Sequence, residues 1–581
     1  MLFDIINKKS FNDSIAELYV DGSVTENPAK IVTHLNDYFV NIGKKLSDKI
    51  EPGKTDFKEY LNGNFLNSMA FQLASPNEIV NIVNDFKSKS SSGIDGIPTT
   101  ILKSCIHFIA FPLTHIVNSS LQTGCFPHSL KIAKIYPLYK SGDKIDISNY
   151  RPISILPSFS KIFEKIVFNR LITYLEHNNI LNNAQYGFRK KLSTYMPLLN
   201  LYDQLSNAGD NGLFSIGIFI DLSKAFDTIN HTILLAKLSH YGIRGTVHEW
   251  FSNYLKDRSQ CVEINRVRSS YKCINCGVPQ GSILGPLLFI IYINDIINCS
   301  ALLYFILFAD DTNLLYSCND LNSLQITVNR ELSKLSDWFA SNRLSLNIKK
   351  TNYILFGNKR LPANIDININ GITIDRVEHT KFLGVIIDDK LTWTPHINYI
   401  ASKIAKGIGI INRIKRLVSR HLLLTLYNSL IYPYLLYCNI VWGGAGVTAL
   451  RKILTLQKRC VRIITGAHYR ASSSPLFIQL QVIKISEIHI FTVAQFMYKI
   501  KFCLLPQHLL HFAALSLDDH YNTRKKNQFV FVFARTNFRQ RNIRFCGPKI
   551  WDALPVEIQN TCARALFKRN LLHYLLSLYV L

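Results

Sequence analysis

The sequence predicts an α+β protein with a basic, mostly helical last third. Three observations carry that expectation. Residues 213–221 (LFSIGIFID) form a nearly continuous apolar run closed by a carboxylate, the pattern of a buried strand. Residues 304–316 (YFILFADDTNLLY) set aromatic and β-branched runs on either side of a tight polar break, which reads as strand, turn, strand. Residues 321–343 place Leu324, Val328, Leu332 and Leu335 on one face of a helix, and after Pro395 the composition turns helical and basic.

Taken from the N-terminus, residues 1–90 alternate amphipathic helical segments with polar breaks. Ile31, Leu35, Phe39 and Ile42 lie at helical spacing. KSKSSSGIDG (87–96) is rich in turn residues and reads as a linker and boundary. A Pro-started helix is expected over 97–118, and a short strand over 132–139. The loop after that strand carries Lys140 and Lys144, and Arg151 follows in NYRP. Cations beside a strand end can clamp a triphosphate, Arg through two parallel bonds and Lys as a point charge. Residues 159–175 form an amphipathic helix, and AQYGFRKK (184–191) a basic turn with two aromatics.

The strand 213–221 delivers Asp221 to its C-terminal end, and the next helix is expected to begin at LSKAFDTINH. Phe226 stands five residues on, where its ring could cover whatever Asp221 holds. Asp227 reads as structural. CGVPQGSILGPLLF (276–289) is punctuated by Gly and Pro and opens a helix. Its glycines permit close approach of backbone to a ligand, and Gln280 offers both a donor and an acceptor. Lys349 and Lys350 precede a strand in LSLNIKKTNYILF. FLGVIIDDKLTW (382–393) is a further apolar hairpin-like piece, whose Asp388–Asp389 pair reads as a solvated turn.

Composition narrows the class. The chain has 581 residues, 48% hydrophobic and 18% charged, which excludes a disordered chain and allows several domains. Twelve cysteines at irregular spacing are too sparse for a disulfide scaffold, and Cys273 and Cys276 form a lone pair expected to be reduced. The N-terminus has no signal-peptide h-region, and the longest apolar run, 283–293, is too short for a bilayer. An intracellular protein of nucleus or cytoplasm, without a membrane partner, is expected. The net charge of +26 is unevenly spread: residues 399–581 hold 26 Lys/Arg against 5 Asp/Glu, the rest 40 against 35. An excess confined to one region is the footprint of a polyanion partner. Tyr427 to Trp442 interleaves four tyrosines and a tryptophan with that charge. Residues 521–549 read as a strand-like basic segment, with Arg524, Lys525 and Lys526 as backbone-binding candidates.

Three carboxylates then stand out: Asp221 at one strand end, and Asp310 with Asp311 on a later hairpin. If the two strands are neighbours, the carboxylates meet at one sheet edge. That arrangement suits two Mg²⁺ ions, with Mn²⁺ as a substitute, about 3.5–4 Å apart in phosphoryl transfer.

The pieces SSGIDGIP, KIYPLYKSGD, NYRPISILPSFSKIFEKI, AQYGFRKKLST, FIDLSKAFDTINH, GVPQGSILGPLLFIIYINDI, FADDT, LSLNIKKT and FLGVIID follow one another over about residues 91–393. In that order they resemble the reverse transcriptase domain of non-LTR (LINE-type) retrotransposons, most nearly the jockey-type group. The resemblance implies a right-hand polymerase with fingers, a palm built on an antiparallel sheet, and a helical thumb. It implies an RNA-directed DNA polymerase acting on an RNA template, a DNA primer and dNTPs. The expected division is an N-terminal helical extension (1–90), fingers and palm (91–393, core about 118–388), and a basic thumb and nucleic-acid-binding region (394–581).

By match to the family's motifs, Asp221, Asp310 and Asp311 correspond to the metal carboxylates. Phe226 corresponds to the ring that excludes a 2′-hydroxyl. Gln280 and Gly281 correspond to the nucleotide and template contact, Arg151 and Lys140 to the triphosphate clamp, and Lys350 to the lysine that protonates pyrophosphate. Phe382, Leu383 and Gly384, opening FLGVIID, correspond to the primer grip. About 90 residues before the match leave no room for the family's upstream endonuclease, so the polymerase part without it is expected. A nucleic-acid-binding remnant that no longer polymerises is the alternative; an RNA-copying RNA polymerase shares the carboxylate logic, but Phe226 argues against it.

Overall fold

A computed structural model describes residues 15–20, 22–357, 365–513 and 529–579 of the chain. Helices and strands are mixed throughout, with two five-stranded sheets. The central sheet is built from Phe214–Ile220 (β1), Tyr304–Phe308 (β2), Asp311–Cys318 (β3), Asn352–Phe356 (β4) and Asp375–Arg376 (β5), in spatial order β5-β4-β1-β3-β2. β1 runs antiparallel to both its neighbours. Ile220 stands opposite Thr312 of β3, and Phe219 opposite both Asn313 of β3 and Asn352 of β4.

Both faces of this sheet are covered, which is why β1 is apolar without alternation. Ile216, Ile218 and Leu314 pack into a core shared with the helices Ser158–His177, Gly285–Tyr292 and Leu321–Ser341. Phe219, Ile306 and Leu315 pack into a second core. That core is shared with Tyr195–Asp210 and with the helices after residue 393, among them Thr394–Ile414, Val447–Thr465 and Ile485–Lys501.

The other five-stranded sheet pairs Ile132–Tyr139 antiparallel to Tyr150–Ile155 and parallel to Arg258–Ile264. The helix Pro28–Asp48 packs on it, burying Leu35 and Phe39 against Ala133, Ile135 and Val262. Pro28 opens that helix, and the Asn27 side chain caps it by accepting from the Ala29 and Lys30 amides. The Asn36 amide donates to the Ser270 carbonyl and accepts from Gln260, and Asp37 pairs with Lys272. The helix Thr99–Thr123 follows Pro98 and stops at Gly124, whose φ of 69° suits a left-handed cap. Among the described residues it is the one helix long and apolar enough to cross a bilayer by length and composition. Its Ile106 and Val117 are buried in the protein, while Phe108 and Phe111 are exposed.

Three expectations are corrected. Residues 222–230 are not helical: the helix begins at His231, capped by Asn230. The chain is held extended past β1 because Leu222 bridges Leu346 and the Ser223 amide bonds to the Ser345 carbonyl. Asp388 is buried rather than solvated. Its carboxylate accepts from the Thr392 amide and hydroxyl and from the Trp393 amide, which ties off the turn before Thr394–Ile414. The described part of 521–549 is chiefly helical, with Asn537–Gln540 and Ile543–Asp552 in place of a strand. Arg524, Lys525 and Lys526 lie outside the described residues.

Part of the C-terminal basic excess is spent internally. Arg539 and Arg544 both bond to Asp203, which is almost fully buried on the helix Tyr195–Asp210. The Arg535 guanidinium reaches the Asp210 main-chain carbonyl, and the Arg535 and Thr536 amides donate to the Asp210 carboxylate. Asp203→Ala removes the acceptor and leaves the Arg539 charge buried. A stability loss of about 3–5 kcal/mol is expected from the shift in denaturant midpoint, as for other half-broken buried pairs. A loss below about 1 kcal/mol, the range of an exposed pair, would contradict a buried clamp at this junction.

Candidate active site

The register of the central sheet brings the three carboxylates to one edge. Ile220 pairs with Thr312, so Asp221 and Asp311 are the next residues along two adjacent strands. Asp310 stands beside them in a two-residue hairpin loop, because Phe308 pairs with Asp311. The first loop residue, Ala309, has a φ of 55°, unusual for a residue with a Cβ. The Gln185 side chain holds it there: Gln185 Oε1 accepts from the Ala309 amide at 3.0 Å and from the Gly187 amide at 2.8 Å. Gly187 is tightly packed against the loop, since a Cβ on it would come within 2.4 Å of the Ala309 nitrogen. Asp221 is steadied from β4's side, with the Asn347 amide donating to its Oδ2 at 2.9 Å and the Asn347 backbone to its carbonyl.

Asp310 and Asp311 are both perturbed. Both Asp310 and Asp311 present surface to solvent, yet the protein around them strips water from their carboxyls. Asp310 is raised above its ordinary value, first by that desolvation, with Arg151 opposing and Asp221 adding. Asp311 is pushed up to about 6 by desolvation, then by the charges of Asp310 and Asp221. Among the described residues no three His, Cys, Asp or Glu side chains are preassembled as a metal site, so Asp221, Asp310 and Asp311 would have to close around a cation on binding it. Carboxylates are hard oxygen donors suited to Mg²⁺, and mutual repulsion of this kind is relieved by a cation.

Cations face them. Lys140 has its ammonium lowered, first by burial, then by Arg151 and Lys350, while Asp221 and Asp310 pull it back up. Arg151, Lys140 and Lys350 therefore share one electrostatic neighbourhood with the acidic edge. Lys224 joins them: its Nζ donates to the Tyr150 carbonyl at 3.0 Å, and it feels Arg151, Lys140 and Lys350.

The loop 279–283 is tied to the strand Tyr150–Ile155 and to Asp227. Gly281 has a φ of 127°, and a Cβ there would stand 2.5 Å from the Ser154 carbonyl oxygen. The Gln280 carbonyl accepts from the Ser154 amide at 2.7 Å, and the Ile283 amide donates to the fully buried Glu164 at 2.6 Å. Phe226 is partly buried, stacked on Phe289 with centroids 4.7 Å apart and touched edge-on by Phe188 at 6.4 Å. Gln280 is bonded to Asp227, so the residue read as structural has a partner in the candidate site.

Phe382, Leu383 and Gly384 begin the turn between the antiparallel strands His379–Phe382 and Val385–Asp388. Leu383 and Gly384 both have positive φ, 45° and 82°, the two-residue turn that fits a twisted hairpin. The Phe382 ring is buried near Phe219, and the Tyr437 hydroxyl clasps the tip by donating to the Leu383 carbonyl. Of the aromatics at 427–442, Tyr427 and Trp442 are core, while Tyr434 and Tyr437 are exposed.

Sequence reasoning passed over Gln185, Asn347 and Lys224. Each acts through bonds to a distant main chain or side chain, which no local pattern announces. Their one signal is position, inside AQYGF, LSLN and DLSKAFD.

The sequence profile of the reverse transcriptase (RNA-dependent DNA polymerase) family matches residues 139–387. The chain is 31% identical over 437 residues to the probable RNA-directed DNA polymerase from transposon BS of Drosophila melanogaster, covering 71% of this chain and 46% of that protein. It is 28% identical over 446 residues to the RNA-directed DNA polymerase from mobile element jockey of the same species, 74% and 48% of the two chains. A third similarity, 26% over 453 residues, is to the probable RNA-directed DNA polymerase from transposon X-element, with 75% and 50% covered. The chain thus spans about half the length of the curated relatives it matches.

Proposed function

We infer that this chain, whose residues 139–387 place it in the reverse transcriptase family, is an RNA-directed DNA polymerase of the non-LTR retrotransposon kind. The observation that carries the reading is the convergence of Asp221, Asp310 and Asp311 at one edge of the central sheet, within electrostatic reach of Lys140, Arg151 and Lys350. A carboxylate edge facing a cationic wall suits a nucleoside triphosphate whose phosphates lie between them.

In this reading the central sheet is the palm, the sheet containing Ile132–Tyr139 belongs to the fingers, and the helices from Thr394 onward form the thumb. Asp221, Asp310 and Asp311 would hold divalent cations, Mg²⁺ or Mn²⁺. When bound, two such ions supply the charge neutralisation that a 3′-hydroxyl attack and a departing pyrophosphate need. The chain's own residues do the rest. Arg151 and Lys140 orient the triphosphate, and Lys350 stands ready to give a proton to the leaving group. Phe226, braced by Phe289, lies beneath the sugar, and Gln280 with Gly281 contacts the nucleotide and template. The hairpin tip Phe382–Gly384, clasped by Tyr437, steadies the primer end, and the basic helices after residue 393 track the duplex backbone through phosphate contacts. Arg524, Lys525 and Lys526 are proposed to add to that track.

Mn²⁺ titration followed by electron paramagnetic resonance tests the carboxylate assignment without turnover. The parent, on primer–template with dNTP, is expected to take up Mn²⁺, and Asp221→Asn and Asp310→Asn to take up clearly less. Equal uptake by all three proteins would contradict the assignment.

A further inference from the structure

The amide of Gln280 is not free to turn. Its Nε2 donates to both carboxylate oxygens of Asp227, at 2.8 and 3.0 Å. An ionised carboxylate only accepts, so the NH₂ half of the amide must face Asp227 and the carbonyl half must face away. Gln280 Oε1 has no protein partner among the described residues and is not among the buried polar atoms left unsatisfied. It is an unpartnered acceptor that is not sealed from solvent, on a residue whose main chain is pinned by Ser154.

Asp227 is held as firmly as the group it orients. Its amide bonds to the Lys224 carbonyl at 2.8 Å. Its main chain lies beneath two glycines: a Cβ at Gly43 would stand 2.0 Å from the Asp227 carbonyl oxygen, and one at Gly277 2.8 Å from it. Gly43 belongs to the helix Pro28–Asp48, so that N-terminal helix is part of the support. Lys224 and Arg151 attract the carboxylate, Tyr38 and Cys276 feel its charge, and the Lys224 ammonium lies over the Tyr38 ring. His231 and Arg258 line the small cavity that Asp227 and Gln280 share with Cys276.

We propose that Asp227 is a positioning residue that sets the polarity of Gln280, so that the incoming nucleotide meets a carbonyl acceptor and never the amide's NH₂. The partner this selects on the nucleotide is a hydrogen-bond donor. The inference rests on the reading that Gln280 contacts the nucleotide.

Burial pushes the Asp227 carboxyl up to about 6, with Gln280, Lys224 and Arg151 opposing. Below that pH the carboxyl carries an O–H that can donate to Gln280 Oε1, and the amide can turn over. The KM for a dNTP should therefore rise as pH falls through about 6, with kcat moving less.

The test is a double-substitution cycle on the full chain, with Asp227→Asn, Gln280→Ala and both together. The readout is single addition of dTTP to a DNA primer on an RNA template, between about pH 5 and 8. Asn keeps the shape of Asp and can bond to Gln280 in either orientation, so it removes polarity while sparing packing. Asp227→Asn is expected to raise the KM for dTTP about tenfold, the cost of one oriented hydrogen bond, and to flatten the acid limb. In the Gln280→Ala background it should change neither. The same cycle read as dTTP binding in Ca²⁺ separates orientation from chemistry, and melting temperatures check that each variant folds. Equal effects of Asp227→Asn with and without Gln280 would overturn the proposal and leave the polymerase reading intact. An active Gln280→Ala with the parent's KM would remove the nucleotide contact and the proposal with it. A parent that neither extends primers nor binds dTTP would overturn the polymerase reading itself.

Discussion

Asp310→Asn is expected to lower DNA synthesis by at least about 10²-fold, since preorganised charge at a reacting phosphate is often the largest single catalytic contribution. Asn keeps the shape of the side chain and removes the charge that would offset cations and triphosphate. Asp221→Asn should do the same, because both residues sit at the edge set by the Ile220–Thr312 register. The loss belongs in kcat and in metal affinity rather than in folding. Asp310 and Asp311 are raised above their ordinary values in the folded chain, so without metal they bind protons more readily folded than unfolded. Their contribution to stability is therefore present at low pH and is lost as pH rises, for Asp311 through about 6. Metal-free Asp311→Asn should melt higher than the parent at neutral pH, with the gap narrowing as the solution is acidified. Mg²⁺ should narrow it too, by stabilising the parent alone. Asp310→Asn and Asp221→Asn variants that extend primers at the parent's rate would contradict the site.

Phe226→Ala is expected to change the choice of sugar. The ring is partly exposed, stacked on Phe289 and met edge-on by Phe188, and on the proposed reading that packing would fix it where a 2′-hydroxyl would have to fit. Removing it should raise rNTP incorporation relative to dNTP about 10-fold or more, read as the ratio of kcat/KM for the two nucleotides. Stability should also fall, by less than the ~3–5 kcal/mol of a fully buried Phe→Ala change, because part of the ring already faces solvent. An active variant with the parent's ratio would make Phe226 packing and nothing more.

The parts of this fold that were legible in the sequence are those set by local pattern. The strand at 213–221, the hairpin around Asp310 and Asp311 and the helix from Leu321 all follow from apolar spacing and turn chemistry, whereas the turn at Leu383–Gly384 falls inside a run that reads as strand. That two strands about 90 residues apart pair in register, bringing Asp221 to Asp311, is a tertiary fact that the sequence could only pose as a condition. The LSKAFD segment reads as the start of a helix because it follows a buried strand, but Leu222 and Ser223 stay on the sheet edge at Leu346 and Ser345, and the chain then turns at Lys224, with a φ of 51° and the Asp227 amide bonded to its carbonyl. Net charge located the basic last third correctly but could not separate arginines facing solvent from those, like Arg539 and Arg544, tied to Asp203. Asp388 and Asp227 show the same limit for carboxylates. A solvated Asp and one whose carboxylate is taken up by neighbouring donors look alike until those partners are known.

The most direct measurement is extension of an end-labelled DNA primer on an RNA template by the purified chain, with dNTPs and Mg²⁺, beside a triple variant Asp221→Asn, Asp310→Asn, Asp311→Asn. The expected result is template-directed growth of the primer by the parent, abolished by chelation and absent from the triple variant at the same protein concentration and with the same nucleic-acid binding. Primer growth that persists in the triple variant, or a folded parent that binds primer–template and dNTP with Mg²⁺ yet adds no nucleotide, would contradict the assignment of this chain as an RNA-directed DNA polymerase working from that carboxylate edge.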